Sequence, residues 1–204
     1  RRRRARRALE QKAAGGTGAG GESSVGSGAE TVTSGGESVK SDTRRGMTPN
    51  QEKKADLEDA LDSTVLGDMC FERGDLAEAR HEHRRALRIR TARLPAGHPD
   101  VAESLESLGN VAIREGRHLE AEGLHRKALE MRMQALGPNH MDVAATLNNL
   151  AVSLKGQAGK LGAAETACKH ALSIVEANRK AGEGTPHLMA ALLKLQSKIV
   201  KKQG

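Results

Sequence analysis

The chain has 204 residues and a formal net charge of +7, and Phe71 is its single residue of the types Phe, Tyr and Trp. A core must therefore be built from Ala, Leu, Val, Ile and Met, which bury less area than rings, so we expect modest stability. Two cysteines do not make a disulfide framework, and no stretch approaches the roughly 18 apolar residues of a membrane span, which excludes disulfide-stapled and membrane-spanning classes.

Residues 1–50 are predicted to be a disordered basic tail. They open with RRRRARR and continue through Gly/Ser/Thr-rich segments such as GGTGAGGESSVGSG. These segments contain almost no large apolar residue whose burial could offset the entropy lost when the chain becomes ordered. They hold 10 Lys and Arg against 5 Asp and Glu, whereas the remainder holds 23 against 21. The arginine run is either a solvated charge block or a weak electrostatic contact for nucleic acid or nuclear import. Because the chain starts with Arg, we expect that the natural N-terminus is missing.

From residue 51 onward self-similarity dominates, and three segments align on a shared glycine. Successive glycines are 42 and then 43 residues apart, and each is followed five residues later by Ala and after seven more by a second Ala. These residues are Gly74, Gly116 and Gly159, then Ala79, Ala121 and Ala164, then Ala86, Ala128 and Ala171. Apolar stripes of helical period on both sides of each glycine predict a helical hairpin with a tight turn. Such hairpins bury their apolar faces only by stacking.

One stretch carries a family resemblance. LGPNHMDVAATLNNLA followed by QAGKLGAAETACKHALSI resembles the tetratricopeptide repeats of kinesin light chains and related scaffold proteins. HEAT and armadillo repeats have comparable periods but lack this spacing of Gly and Ala. The resemblance implies an all-α helical-hairpin solenoid over residues 51–204, with repeats at about 56–97, 98–139 and 140–184 and a capping helix at 185–202. The sequence departs from the family at His83, His125 and Cys168, which replace an expected aromatic ring, and by lacking coiled-coil heptads.

The resemblance also implies a peptide-binding groove on the concave face, which the first helix of each hairpin forms. In the family the asparagines of Leu-Asn-Asn-Leu-Ala hydrogen-bond a peptide backbone, and the matching residues are Asn148 and Asn149. Helical spacing extends this stripe to the other repeats. The predicted groove residues are Asp68, Glu72, Glu103, Ser107, Asn110, Arg114, Asn148, Asn149, Val152 and Lys194. The alternative is an ordinary surface pair, although adjacent asparagines inside a helix are slightly unfavourable by propensity.

Motifs for catalysis are absent from the sequence, which has no GxxxxGK[ST] and no GxSxG. Cys70 and Cys168 fall on predicted buried stripes, which argues against a nucleophile. The histidines lack the spacing of a metal motif. His83 and His125 are therefore interpreted as packing groups, and His98 and His140, at the starts of helices, as local capping or packing groups. We therefore expect no catalytic residue, no cofactor and no bound metal.

The sequence thus predicts a cytoplasmic scaffold for protein–protein interaction, with a kinesin-light-chain-like adaptor or cargo role, and leaves the nucleus or an organelle as alternatives. The predicted groove runs from acidic side chains near Asp68 to basic ones near Lys194, which would orient a dipolar ligand. One rival function is a nucleic-acid-associated protein that uses the basic tail, although no aromatic platform exists for stacking bases. The other is a partial or degenerate repeat protein, because the core aromatics are missing.

Overall fold

The computed structural model describes residues 46–180 and 185–203, which form seven α-helices and include no strand. The helices are α1 (Pro49–Arg73), α2 (Leu76–Arg93), α3 (Pro99–Arg114), α4 (His118–Leu136), α5 (Met141–Lys155), α6 (Leu161–Lys180) and α7 (Pro186–Gln203). The first six pair as three hairpins that stack in order, and α7 packs on the last. The predicted stack of helical hairpins is confirmed. The arginine run of the predicted tail, and with it the predicted nucleic-acid contact, lies outside the described residues.

Helix α1 begins ahead of residue 56, where the repeat pattern starts. Thr48 caps its N-terminus: the Thr48 hydroxyl accepts from the Gln51 amide at 3.4 Å, and the Thr48 amide donates to Gln51 Oε1 at 2.8 Å. Pro49 follows at the first helical position, where an amide hydrogen would have no partner within the helix. The first helix of the stack thus begins about two turns before residue 56, at this capping box.

The helix ends follow from local sequence. Gly74, Gly116 and Gly159 have φ values of +92°, +76° and +75°, in the left-handed region that favours glycine, so each closes its hairpin as predicted. His98 and His140 cap α3 and α5, where each Nδ1 accepts from the amide two residues later, at 3.2 and 3.1 Å. The interpretation of these two histidines as local caps is therefore confirmed.

A histidine ring packed on a glycine forms the centre of the first two hairpins. The pairs are His83 with Gly67 and His125 with Gly109. Both rings are buried, and a Cβ added at Gly67 would lie 2.7 Å from the ring, too close for any side chain. In the third hairpin the same two positions hold Ala151 and Cys168. Ala is larger than the glycine it replaces, and Cys is smaller than the histidine it replaces. The interpretation of the histidines as packing groups is confirmed.

The core becomes more apolar toward the C-terminus. The aligned alanines are fully buried in all three hairpins, because the helices approach closely there. Besides these alanines, α2 buries Glu82 and Arg90, whereas α6 buries Ile174 and Val175. The largest apolar cluster joins the third hairpin to α7 through Leu147, Leu150, Leu154, Leu192, Leu195 and Ile199. The last helix therefore closes the third hairpin over a hydrocarbon core.

Arginines join successive hairpins. Arg90 Nη1 donates to Ser104 Oγ at 2.7 Å and to the carbonyl oxygen of Asp100 at 2.9 Å, and both acceptors belong to the next hairpin. Arg132, 42 residues later, donates in the same way to the Thr146 hydroxyl and to the carbonyl oxygen of Asp142. At the third junction Val175 takes the place of the arginine and joins the apolar cluster with α7. The first two junctions are thus polar and the third is apolar.

Candidate peptide-binding groove

The first helix of each hairpin and α7 adjoin along one side of the stack, and we call this side the groove face. All ten predicted groove residues lie on these four helices. Those that are half-buried are Ser107, Asn110, Asn148, Asn149 and Val152. Those that are exposed are Asp68, Glu72, Glu103, Arg114 and Lys194. The half-buried members occupy the middle of the face, on α3 and α5, and charged side chains flank them.

The asparagine pair takes part in a hydrogen-bonded network between α3 and α5. Asn149 Nδ2 donates to Glu106 Oε1 at 2.8 Å, and the other carboxylate oxygen of Glu106 lies 2.7 Å from Arg132 Nη2. Asn148 Nδ2 lies 3.4 Å from Asn149 Oδ1. Because an amide nitrogen carries two hydrogens, the bond to Glu106 orients Asn149 without using all its donors. The network therefore holds the amide in one orientation on the groove face.

Other predicted groove residues contact neighbouring repeats. Arg114 Nη1 donates to the Phe71 carbonyl at 2.6 Å, and its guanidinium lies 4.7 Å from the centre of the Phe71 ring. Glu103 Oε2 lies 3.1 Å from Arg90 Nη1. These side chains therefore stabilise the stacking of successive hairpins in addition to lining the face.

Basic side chains gather where α5 meets α7. Burial, together with the positive charges of Lys198 and Lys202, lowers the pKa of Lys155. Lys202 Nζ also donates to the Lys155 carbonyl at 3.3 Å. Glu72 and Asp68 lie on α1 at the other end of the stack. The groove face thus carries acidic side chains at its α1 end and basic ones at its α7 end.

Sequence reasoning missed Glu106 and the two junction arginines. Arg90 and Arg132 recur at the repeat period, and so do the hydroxyls of Ser104 and Thr146 that accept from them. This recurrence of both donor and acceptor is the sequence signal from which the arginine contacts between hairpins could have been predicted. Glu106 has no such signal, because its counterparts in the other repeats are Thr64 and Asn148.

Metal ligation, membrane spanning and thiol reactivity can each be checked over the described residues. Within 46–180 and 185–203, no group of three or more His, Cys, Asp or Glu could hold a metal ion. Over the same ranges, none of the helices combines the length and apolarity that crossing a bilayer requires. Cys70 and Cys168 are buried, and burial raises the pKa of both thiols, which keeps them protonated near neutral pH.

The family follows from the repeats. A tetratricopeptide repeat model matches residues 59–132 and 100–177, which together span more than half of the chain. The chain belongs to the tetratricopeptide repeat family. Repeats of this family form scaffolds for protein–protein interaction, and the tetratricopeptide repeats described above have the hairpin architecture that such scaffolds use.

Solved structures with the same fold include kinesin-light-chain proteins. BtubC (BKLC) from P. vanneervenii is 18% identical, with a TM-score of 0.55 over 71% of this chain and 64% of that one. A putative kinesin light chain of Podosopora anserina with nearly identical TPR-like repeats is 16% identical, with a TM-score of 0.52 over 81% and 82%. A variant of that protein with one residue substituted has a TM-score of 0.53. No curated protein matches the sequence. The predicted resemblance to kinesin light chain repeats is confirmed at the level of the fold.

Proposed function

We propose that this tetratricopeptide repeat protein binds an extended segment of a partner protein along the groove face, in an adaptor or cargo role like that of kinesin light chains. The observation that supports this is the half-buried pair Asn148 and Asn149 in the middle of the face, where Glu106 orients the Asn149 amide and Asn148 contacts that amide in turn. An amide offers both a donor and an acceptor, which suits a peptide backbone of any sequence. With three hairpins the groove is short, so we expect a dissociation constant of about 1 μM.

Charge along the groove face adds direction to the proposed binding. The acidic end lies on α1 and α3, and the basic end lies on α5 and α7. A peptide whose charged residues are concentrated at opposite ends would bind in one orientation, because the reversed orientation places like charges together.

Replacing Asn149 with Ala should weaken peptide binding by about 0.5–1.5 kcal/mol, because one hydrogen bond to the ligand backbone is lost. We expect little change in thermal midpoint: Ala is the better helix former, and loss of the bond to Glu106 offsets that gain. The measurement is calorimetric titration, using peptides selected from a random library on the immobilised full-length chain.

Lys127→Ala is the matched control, because Lys127 is an exposed residue on α4, a second helix of a hairpin. It should bind the selected peptides like the wild type. Glu106→Ala should also weaken binding, since it releases the orientation of the Asn149 amide. Unchanged affinity in Asn149→Ala combined with a loss in Lys127→Ala would place the ligand on the second helices and contradict the groove assignment.

A further inference from the structure

The outer face of α7 carries exposed apolar side chains beside its lysines. Leu192, Leu195 and Ile199 are buried against the third hairpin, but Leu193 and Val200, on another side of the helix, are 52% and 53% exposed. Next to Leu193 lies a cavity of ≈ 300 Å³ whose lining includes Val175, Pro186 and Met189. In a repeat array, a face that no neighbouring unit covers needs polar side chains to remain soluble. The outer face of α7 therefore has the composition of a surface that another helix covers.

The repeat register shows which neighbour this face would accept. Glu106 contacts Asn149, and Phe71 contacts Arg114, so in both cases a residue meets the one 43 positions later in the next first helix. The exposed pair on α7 occupies the same two repeat positions: Leu193 corresponds to Glu106 and Val200 to Phe71. These side chains consequently point to where a following first helix would pack.

Helix α1 of a second copy fits that position. In the same register, Val65 corresponds to Asn149 and Glu72 to Arg114, so Leu193 would meet Val65 and Val200 would meet the stem of Glu72. Val65 is half-buried and lies outside the apolar core clusters of the described residues. The outer side of α1 thus presents an apolar side chain opposite Leu193.

Charge selects between the two ways in which copies could pair. Helix α7 carries four lysines and no Asp or Glu, whereas α1 carries seven Asp and Glu against three Lys and Arg. Pairing α7 with α7 about a two-fold axis would bring lysines together, while pairing α7 with α1 brings opposite charges together. Lys201, next to Val200, would then lie near Glu72 of the other copy. Opposite charge therefore favours contact between unlike ends.

We propose that this protein associates with itself head to tail, with the outer face of α7 in one copy covering the outer face of α1 in the next. Such a contact is heterologous, because each copy uses two different surfaces, and it extends the stack of first helices from one copy into another. It involves neither Asn148 nor Asn149. Self-association and peptide binding on the groove face can therefore fail separately.

The test uses two variants of the full-length chain, Leu193→Glu on α7 and Val65→Lys on α1, in sedimentation velocity experiments. Each variant alone should associate at least about tenfold more weakly than the wild type, because one of its two surfaces is damaged. A mixture of the two should form dimers that stop at two copies, since each variant supplies the surface that the other lacks. Leu119→Glu, at a 72% exposed leucine on α4, should associate like the wild type.

Three results would overturn the proposal. A wild type that stays monomeric up to about 1 mM would exclude any contact of useful strength. Wild-type association in Val65→Lys would indicate a symmetric contact between two α7 helices. A mixture that remains monomeric, with both variants folded by circular dichroism, would show that the two surfaces do not bind each other. In the expected case, added salt weakens the association, because opposite charges contribute to it.

Discussion

Gly109→Ala should destabilise the protein by about 1–3 kcal/mol, although Ala is ordinarily the better helix former. The new methyl group would overlap the His125 ring, which is fully buried and held by a 2.9 Å contact between its Nδ1 and Ser153 Oγ. Because the ring is buried and held in this position, we expect the two helices of the hairpin to move apart to accommodate the methyl group. Chemical denaturation followed by far-ultraviolet circular dichroism measures the change, since the chain has neither Trp nor Tyr for fluorescence.

Gly123→Ala is the opposite-sign control for this substitution. Gly123 is exposed on α4, and a Cβ there meets nothing within 4 Å, so we expect a gain of up to about 1 kcal/mol from helix propensity. The third hairpin also suggests a rescue: adding His125→Cys to Gly109→Ala reproduces the pair Ala151 and Cys168. The double variant should be more stable than Gly109→Ala alone. Equal shifts for the two glycine variants, or no rescue, would show that the ring and the glycine are not in contact.

Stability should fall steeply as the pH is lowered from about 6.5 to about 4. Burial, and to a smaller extent Arg90 and Arg132, lower the pKa of His83 and His125 to about 4 from the usual 6.5. In this window the unfolded chain binds protons at both residues and the folded chain does not, so protonation favours unfolding. Each histidine should contribute a loss of about 1.4 kcal/mol per pH unit, and their stabilising effect is fully present only above the unfolded pKa.

Glu122, whose pKa is lowered strongly, affects stability over a lower pH range than the histidines do. Burial raises the pKa of Glu122, but hydrogen bonds from Lys160, Gln157 and Arg126 outweigh it and lower the pKa to about 2. Its contribution is therefore present above the unfolded value of 4.5 and is lost as the pH falls from there toward about 2. Loss of stability between pH 6.5 and 4.5 is thus assigned to the histidines.

His125→Leu separates this effect from general acid sensitivity. Leu has a similar volume but does not titrate, so the slope of unfolding free energy against pH should fall by about one proton between about pH 6 and pH 5. Leu119→Gln, at an exposed position on α4, neither adds nor removes a titrating group and should leave the slope unchanged. A His125→Leu variant with the wild-type slope would contradict the assignment of this pH dependence to the buried ring.

The sequence determined the hairpins because the requirements for them are local. A left-handed turn needs glycine, so Gly74, Gly116 and Gly159 located the turns. Close helix packing needs small side chains at helical spacing, so the aligned alanines identified the buried faces. The start of α1 also has a local cause, Thr48 with Gln51, but the repeat pattern obscured it because the capping box precedes the first repeat. The family and the candidate groove helices followed from these local features.

Only the tertiary structure decided which side chains meet between repeats. Glu106 and Asn149 are 43 residues apart, and nothing in the local sequence of either selects the other, because the bond depends on how α3 and α5 are rotated and offset. The same holds for Leu193 and Val200: helical period placed them on a helix, but whether a neighbour covers them depends on the stack. A repeat pattern specifies which faces are buried, whereas polar partners and exposed apolar faces arise from geometry that neighbouring helices set together.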